Sequence, residues 1–331
     1  MAKRRAKLLV AQTANRKEEF APLARYADIY WLDEMSEEEQ SKVLPLVDCL
    51  YSHGWPKALE QKLPLMKGLR LYQAGNAGVN NVRFDLLGSE VVVCSNAGSY
   101  SDEVGEFAIG LMLAAGKSLA RFDRELRAGT FKNQRLDDLG RQVAFFKGKT
   151  LGVIGYGGIG RSSARLGIAL GMRILALGRH PTKDRGVRLL RGKAGLSKLL
   201  KESDAIVLAV PLTNETRGMI GKDELALMKP TATLVNIARG EVVQKQAIYD
   251  HLAKNARFQY ATDVWWPGQG ASETFAPDLP FLELANFVCT PHASGPSALA
   301  SGSVLKGVVE NLTRYFKGRP LENVVDRSEY L

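Results

Sequence analysis

Two side chains of this 331-residue chain stand where an arginine and a histidine could share one task. Arg239 closes the run Leu234-Val235-Asn236-Ile237-Ala238-Arg239-Gly240, and His292 follows Pro291 after Phe287-Val288-Cys289-Thr290. Each preceding run is short and apolar, as a buried strand is, so each side chain emerges at a strand end. An arginine there can clamp a carboxylate and polarise an adjacent carbonyl as negative charge develops. A histidine can give or take a proton near neutral pH. The chain has four histidines, His53, His180, His251 and His292.

A second constellation points to a nucleotide. Gly155-Tyr156-Gly157-Gly158-Ile159-Gly160 lies between the apolar run Thr150 to Ile154 and a helix-forming stretch from Arg161 to Leu170. A strand, a Gly-x-Gly-x-x-Gly turn and a helix form the dinucleotide-binding fingerprint. Gly155 permits the tight turn, Gly157 lets backbone approach a pyrophosphate, and Gly160 allows close helix–strand packing. The helix N-terminus offers N–H groups to the anion. The next apolar run, Met172 to Leu177, ends in Gly178-Arg179-His180-Pro181-Thr182-Lys183. An NAD(H) site places Asp or Glu at this strand end, about 20 residues past the glycines, on the ribose 2′-hydroxyl. Here Gly178 takes that place and Arg179 follows, a side chain suited to a 2′-phosphate. His180, Thr182 and Lys183 add donors. The expected cofactor is NADP(H), with NAD(H) as the second choice.

These residues need strands to carry them. Lys7 to Ala11, Asp28 to Leu32, Cys49 to Ser52, Arg70 to Gln73 and Val91 to Ser95 read as strands, with helices over Glu37 to Leu46 and Lys57 to Met66. Glu103 to Leu119 reads as one long helix, more apolar than a single packing face requires, which predicts burial against another subunit in a homodimer. After the glycine turn, Ala205 to Val210, Thr233 to Ile237, Tyr260 to Val264 and Phe287 to Thr290 read as strands. A final helix from Ser297 to Phe316 is expected to return to the first unit. The fold class is therefore α/β: two Rossmann-like or flavodoxin-like parallel-sheet domains with an active-site cleft between them. Residues 1–100 with 297–331 are expected to bind substrate, and residues 101–296 the cofactor.

Gly155 to Gly160, Val210-Pro211-Leu212-Thr213-Asn214-Glu215-Thr216-Arg217-Gly218-Met219-Ile220, Met228-Lys229-Pro230, Leu234 to Gly240 and Thr290-Pro291-His292 follow one another in a familiar order. The chain resembles the D-isomer specific 2-hydroxyacid dehydrogenase family over essentially its whole length. The resemblance implies hydride transfer between a nicotinamide and a small 2-oxo or 2-hydroxy acid, with Arg239 on the carboxylate and His292 exchanging the proton. It implies that the loop Asn76-Ala77-Gly78-Val79 holds the carboxylate through backbone amides, which a glycine-bearing turn can aim at an anion. Asn96 to Tyr100 matches the crossing between domains, Val104 a position near the nicotinamide, and Asp263 the residue that hydrogen-bonds its carboxamide. Tyr156, Gly158, Ile159, Val210, Pro211, Thr216, Ala238, His292 and Ser294 complete the implied cofactor surface. His53, in Tyr51-Ser52-His53-Gly54-Trp55, suits a contact to the substrate side chain or a structural role equally.

The pattern breaks at one place. Family members carry a glutamate a few residues beyond the Asp, paired to the histidine. Here the run is Asp263-Val264-Trp265-Trp266-Pro267-Gly268-Gln269-Gly270, with glycine at the carboxylate position. Gln269 and the Ser294-Gly295 pair resemble the formate dehydrogenase branch, where a glutamine partners the histidine, so Gln269 is the expected partner and Glu273 the nearest acid. A neutral amide brings no charge to stabilise a protonated ring. Trp265 and Trp266 suit a pocket wall or core packing equally.

Composition trims the alternatives. The net charge of +10 could suggest nucleic acid, but no helix-turn-helix, zinc spacing or basic-aromatic motif accompanies it, and attraction of anionic substrates and NADPH accounts for the sign. Cys49, Cys94 and Cys289 lie in apolar runs without metal-ligand spacing, so neither a metal nor an oxidising compartment is expected. No apolar run is long enough for a bilayer, and Leu8-Leu9-Val10-Ala11 is too short for a signal-peptide core after the basic Met1 to Lys7. A cytoplasmic enzyme with no nucleic-acid or membrane partner is expected. Its reaction would be NADP(H)-dependent reduction of a small 2-oxo acid, since Gly178-Arg179 resembles the site of NADPH-using glyoxylate/hydroxypyruvate reductases. The rivals are a formate dehydrogenase-like enzyme and a cofactor-sensing, non-catalytic co-regulator of the same fold.

Overall fold

The computed structural model describes residues 5–11, 17–131, 143–267, 277–295 and 300–331. The chain divides into two compact units, Met1–Tyr100 with Ser297–Leu331, and Ser101–Pro296.

The first unit is built on strands β1 (Ala6–Val10), β2 (Ala27–Trp31), β3 (Cys49–Ser52), β4 (Leu71–Ala74) and β5 (Val92–Cys94). They form a parallel sheet in the order β2-β1-β3-β4-β5. Successive side chains of a strand point to opposite faces. Leu8, Val10, Tyr51 and Leu71 accordingly pack on one side with Leu305 and Val308 of the Ala300–Phe316 helix. Leu9, Leu50, Tyr72 and Val93 pack on the other, with Leu44 and Leu59. Both expected helices of this unit are shorter than their apolar spacing suggests. Ser36 and Glu39 close a reciprocal cap at the start of the first, but it runs only over Glu37–Val43, and the second only over Lys57–Glu60. Pro45 and Pro64 are the cause. Each lacks the N–H that would continue the helical ladder, and tight 3₁₀ turns follow at Leu44–Leu46 and Leu63–Leu65.

The second unit carries β6 (Thr150–Ile154), β7 (Arg173–Leu177), β8 (Val187–Leu190), β9 (Ala205–Leu208), β10 (Thr233–Asn236), β11 (Gln259–Thr262) and β12 (Phe287–Cys289). The sheet is parallel, in the order β12-β11-β10-β9-β6-β7-β8. Every residue of β6, β9, β10 and β11 is buried, as in a sheet covered on both faces. Winding reverses at β6, with β7 and β8 on one side and β9 to β12 on the other. That switch point is where open α/β sheets bind ligands. Strand β8 was not expected, because it is a half-buried edge hidden in the basic stretch from Arg179 to Lys193.

The long helix expected over Glu103 to Leu119 is two helices, Ser101–Gly116 and Leu119–Arg127. Ser118 separates them in the left-handed conformation, with φ of 55°. The first lies against the Gly158–Ala169 helix so closely that a Cβ on Gly105 would stand 2.6 Å from that of Ser162. Among the described residues, no helix is long and apolar enough to cross a membrane.

Candidate active site at the carboxyl edge of the seven-stranded sheet

Beyond β6 the chain turns through Gly155, whose φ is 96°, and enters the Gly158–Ala169 helix at Gly157, which has no side-chain cap. A Cβ on Gly160 would overlap the Gly155 carbonyl, so the helix can sit this near the strand only with glycine there. Gly157 is different. A Cβ there would meet nothing within 4 Å, so no atom of the described residues explains the glycine. An uncapped helix start behind a bare, open backbone edge fits the pyrophosphate of a dinucleotide.

Beyond β7, a Cβ on Gly178 would lie 3.0 Å from the Cβ of Tyr156, so the glycine-turn tyrosine crowds the place an NAD-selecting acid would take. Arg179, His180 and Lys183 are exposed and Thr182 is half-buried. Two residues that the sequence reading passed over join this corner. The Arg161 guanidinium lies 4.8 Å over the Tyr156 ring, pairs with Asp184 and donates to Thr182 Oγ1 at 3.2 Å. The Tyr156 hydroxyl donates to Asp184 Oδ2 at 2.8 Å, and the Asp184 N–H to Thr182 Oγ1 at 3.1 Å. Burial, then the Asp184 contact, pushes the Tyr156 hydroxyl up to about 12. The bonds from Tyr156 and Thr182 in turn hold the Asp184 carboxyl below the usual range. A faint signal existed, since Asp184 is the single acid between Arg179 and Lys193.

Strands β10, β11 and β12 are neighbours, and Arg239, Asp263 and His292 follow their carboxyl ends in that order. At about 4.8 Å between strands, β10 and β12 lie roughly 10 Å apart, and β10 is as far from β6. Asn236 shapes the first turn, donating from Nδ2 to the Arg239 carbonyl at 2.9 Å and accepting the Ala238 N–H at 3.1 Å. Arg239 is half-buried and donates to the Ala238 carbonyl at 2.7 Å. A Cβ on Gly240 would overlap the Trp265 carbonyl and reach 2.6 Å from the Trp266 nitrogen, so the segment after β11 crosses directly over the arginine turn. Asp263 is fully buried. Its carboxylate accepts from Thr290 Oγ1 at 2.6 Å, the Ala293 N–H at 2.8 Å and the Ser294 N–H at 2.9 Å, which brackets His292. His292 itself is exposed, with φ of 58°.

The tandem tryptophans divide their roles. Trp266 belongs to the core, stacked on Phe281 at 5.3 Å and donating to the Val243 carbonyl at 2.8 Å. Trp265 is half-buried and donates from Nε1 to the Thr290 carbonyl at 3.0 Å.

Val210 and Pro211 follow β9, half-buried and exposed respectively. Thr216 closes their turn, donating to the Pro211 carbonyl at 2.6 Å and accepting the Thr213 N–H at 2.9 Å. Ala238 is buried, and Val104 is buried in the first turn of the Ser101–Gly116 helix. Gly268, Gln269 and Glu273 lie outside the described residues. Among the described residues, no cluster of His, Cys, Asp and Glu is placed to hold a metal ion.

In the first unit, the loops after β3, β4 and β5 gather at one end. The Gly54 N–H donates to Asn76 Oδ1 at 2.7 Å, and the Asn96 N–H to the Asn76 carbonyl at 2.9 Å. A Cβ on Gly75 would stand 2.9 Å from His53 Nδ1, so the exposed His53 ring adjoins the Asn76 loop. Ala77 and Gly78 are half-buried and Val79 is buried.

Residues 109–294 match the model of the D-isomer specific 2-hydroxyacid dehydrogenase, NAD binding domain. The chain belongs to the D-isomer specific 2-hydroxyacid dehydrogenase family. Among members of this family, a D-3-phosphoglycerate dehydrogenase of Archaeoglobus fulgidus is 31% identical over 293 residues, which cover 88% of this chain and 54% of that one. This chain thus spans about half the length of that relative. A hydroxypyruvate reductase of Thermotoga maritima is 30% identical over 282 residues, covering 85% of this chain and 88% of the other. The solved structure of a Pyrobaculum aerophilum protein, provisionally named a formate dehydrogenase, superposes with a TM-score of 0.81 at 27% identity, covering 98% of this chain and all of that one. The two parallel sheets are the family's fold, and the seven-stranded one lies in the part that matches its NAD-binding domain.

Proposed function

We propose that the chain reduces a small 2-oxo acid, of glyoxylate or hydroxypyruvate size, to a D-2-hydroxy acid with NADPH. The observation that carries this reading is the row of adjacent strand ends bearing Arg239, Asp263 and His292, on the edge that also carries the glycine turn. The bound nicotinamide supplies hydride to the 2-carbon. Arg239 clamps the carboxylate and draws charge from the 2-oxo group as it becomes an alkoxide, and His292 delivers the proton to that oxygen. A carboxylate has about four acceptor sites. Asp263 uses three on the histidine turn, and the fourth is assigned to the nicotinamide carboxamide. The Asn76–Val79 amides are assigned to the substrate carboxylate, and Gln269 to His292.

Preference for NADP(H) over NAD(H) is supported by the crowding at Gly178 and the exposed Arg179 beside it. A homodimer is supported by exposed Leu119, Leu126, Phe131, Val143 and Phe145, which neighbour one another in sequence on either side of 132–142. A reducing, cytoplasmic setting is supported by the three free cysteines.

Steady-state assays with NADPH and NADH against glyoxylate, hydroxypyruvate and pyruvate, with formate oxidation beside them, test the reading. Turnover of formate alone would replace it with the formate dehydrogenase reading. Cofactor binding without turnover of any of the four would favour the co-regulator. Light scattering on the eluting peak reports the dimer.

A further inference from the structure

We propose that Trp265 is a positioning residue, a strut that ties the arginine turn to the histidine turn and sets the placement of both. This deepens the reading above and rests on the roles given there to Arg239 and His292. One end of the strut is backbone. The Trp265–Trp266 peptide lies so close over Gly240 that no side chain fits beneath it, which fixes the height of the residue after Arg239. The other end is the indole. Its Nε1–H donates to the Thr290 carbonyl at 3.0 Å, and its ring meets Phe287 edge-to-face at 5.9 Å, at the start of the strand that leads to His292.

His292 needs such support. Its φ of 58° is a conformation that residues with a side chain seldom adopt and that persists where the surroundings over-determine it. The surroundings here are the segment after β11. The Thr262 carbonyl accepts the Thr290 N–H at 3.0 Å, the Asp263 carboxylate accepts from Thr290 Oγ1 and the Ala293 and Ser294 N–H groups, and the Trp265 Nε1–H donates to the Thr290 carbonyl. Trp266, anchored in the core, keeps the strut from sliding. Thr262 and Asp263 also join the two sides, through the Asn236 carbonyl at the root of the arginine turn, whereas Trp265 lies over Gly240, the residue next to Arg239, with its backbone and holds Thr290 with its side chain.

Trp265→Phe tests the idea in the full chain, because it keeps a ring against Phe287 and removes the N–H. Without cofactor, hydrogen exchange read by mass spectrometry should quicken roughly tenfold in peptides covering 289–295 and stay unchanged in peptides from the first unit. With NADPH and the best 2-oxo acid, kcat should fall roughly five- to twentyfold at an unchanged KM for NADPH. The solvent deuterium isotope effect on kcat should rise, since a displaced His292 slows proton delivery. Unchanged exchange over 289–295, or an unchanged kcat and isotope effect, overturns the proposal. So does a loss of kcat matched by equal loss of NADPH affinity, which is what a merely structural residue would give. His292→Ala separates the two layers. If it keeps wild-type turnover, the proton-donor reading fails and this proposal with it. If it abolishes turnover while Trp265→Phe changes nothing, the strut alone fails.

Discussion

Arg179 is exposed at the end of β7 and follows a glycine, where an NAD-selecting site carries an acid. One charge-assisted contact is worth about 1.5–3 kcal/mol, or roughly ten- to a hundredfold in affinity. Arg179→Ala should therefore raise KM for NADPH by that factor and leave NADH nearly unaffected; equal losses with both would remove the cofactor assignment. Arg239→Ala should weaken substrate binding and slow reduction together, whereas His292→Ala should chiefly slow the chemical step, with NADPH titration by fluorescence unchanged in both. That Arg239 and His292 stand at strand ends was readable in the chain, because Arg239-Gly240 and Pro291-His292 each follow an apolar run. What Asp263 touches was not. Its three donors lie 27 to 31 positions away and meet it only through the pairing of β11 with β12. The Tyr156–Asp184 bond, 28 positions apart, was hidden for the same reason.

The elements that set this edge are held by close backbone approaches, and Gly240 is the sharpest case. A methyl there would run into the Trp265–Trp266 peptide, which is backbone and cannot rotate aside. Overpacking of this kind typically costs about 1–3 kcal/mol. Gly240→Ala should lower the urea midpoint accordingly and reduce kcat far more than that loss explains, because the Arg239 turn moves with it. A variant with unaltered kcat would show that the crossing does not matter to the site. The interior strands were legible because a parallel strand buried on both faces is a continuous apolar run. Val187-Arg188-Leu189-Leu190 was not, since an edge strand needs no such run and the surrounding cations disguised it. The helices misread at their ends contain Pro45 and Pro64 or turn at Ser118, where local backbone chemistry outweighs apolar spacing.

At the scale of the whole molecule, each unit owns a sheet and a core, so cofactor and pH should act on them unequally. His251 of the second unit is half-buried against Phe258, ring centroids 4.6 Å apart, and its Nε2 has no hydrogen-bond partner among the described residues. Burial holds its imidazole below the ordinary histidine range. The unfolded chain then binds that proton more readily than the folded one. Stability from this group is complete above the ordinary value of about 6.5 and declines as pH falls toward the folded one. His251→Leu should flatten the acid side of the melting profile below that value, measured against wild type at matched ionic strength. Ligand linkage acts on the same unit from the other direction. A cofactor at a hundredfold excess over its Kd stabilises the state that binds it by about 2.7 kcal/mol. Saturating NADPH without substrate should slow hydrogen exchange along β6, β9 and β10 and raise the calorimetric transition of residues 101–296, leaving β1 and β3 little changed. The shift should shrink in Arg179→Ala but not in His292→Ala, whose ring holds no phosphate in this reading. Protection concentrated in β1 and β3 instead would place the cofactor on the wrong sheet.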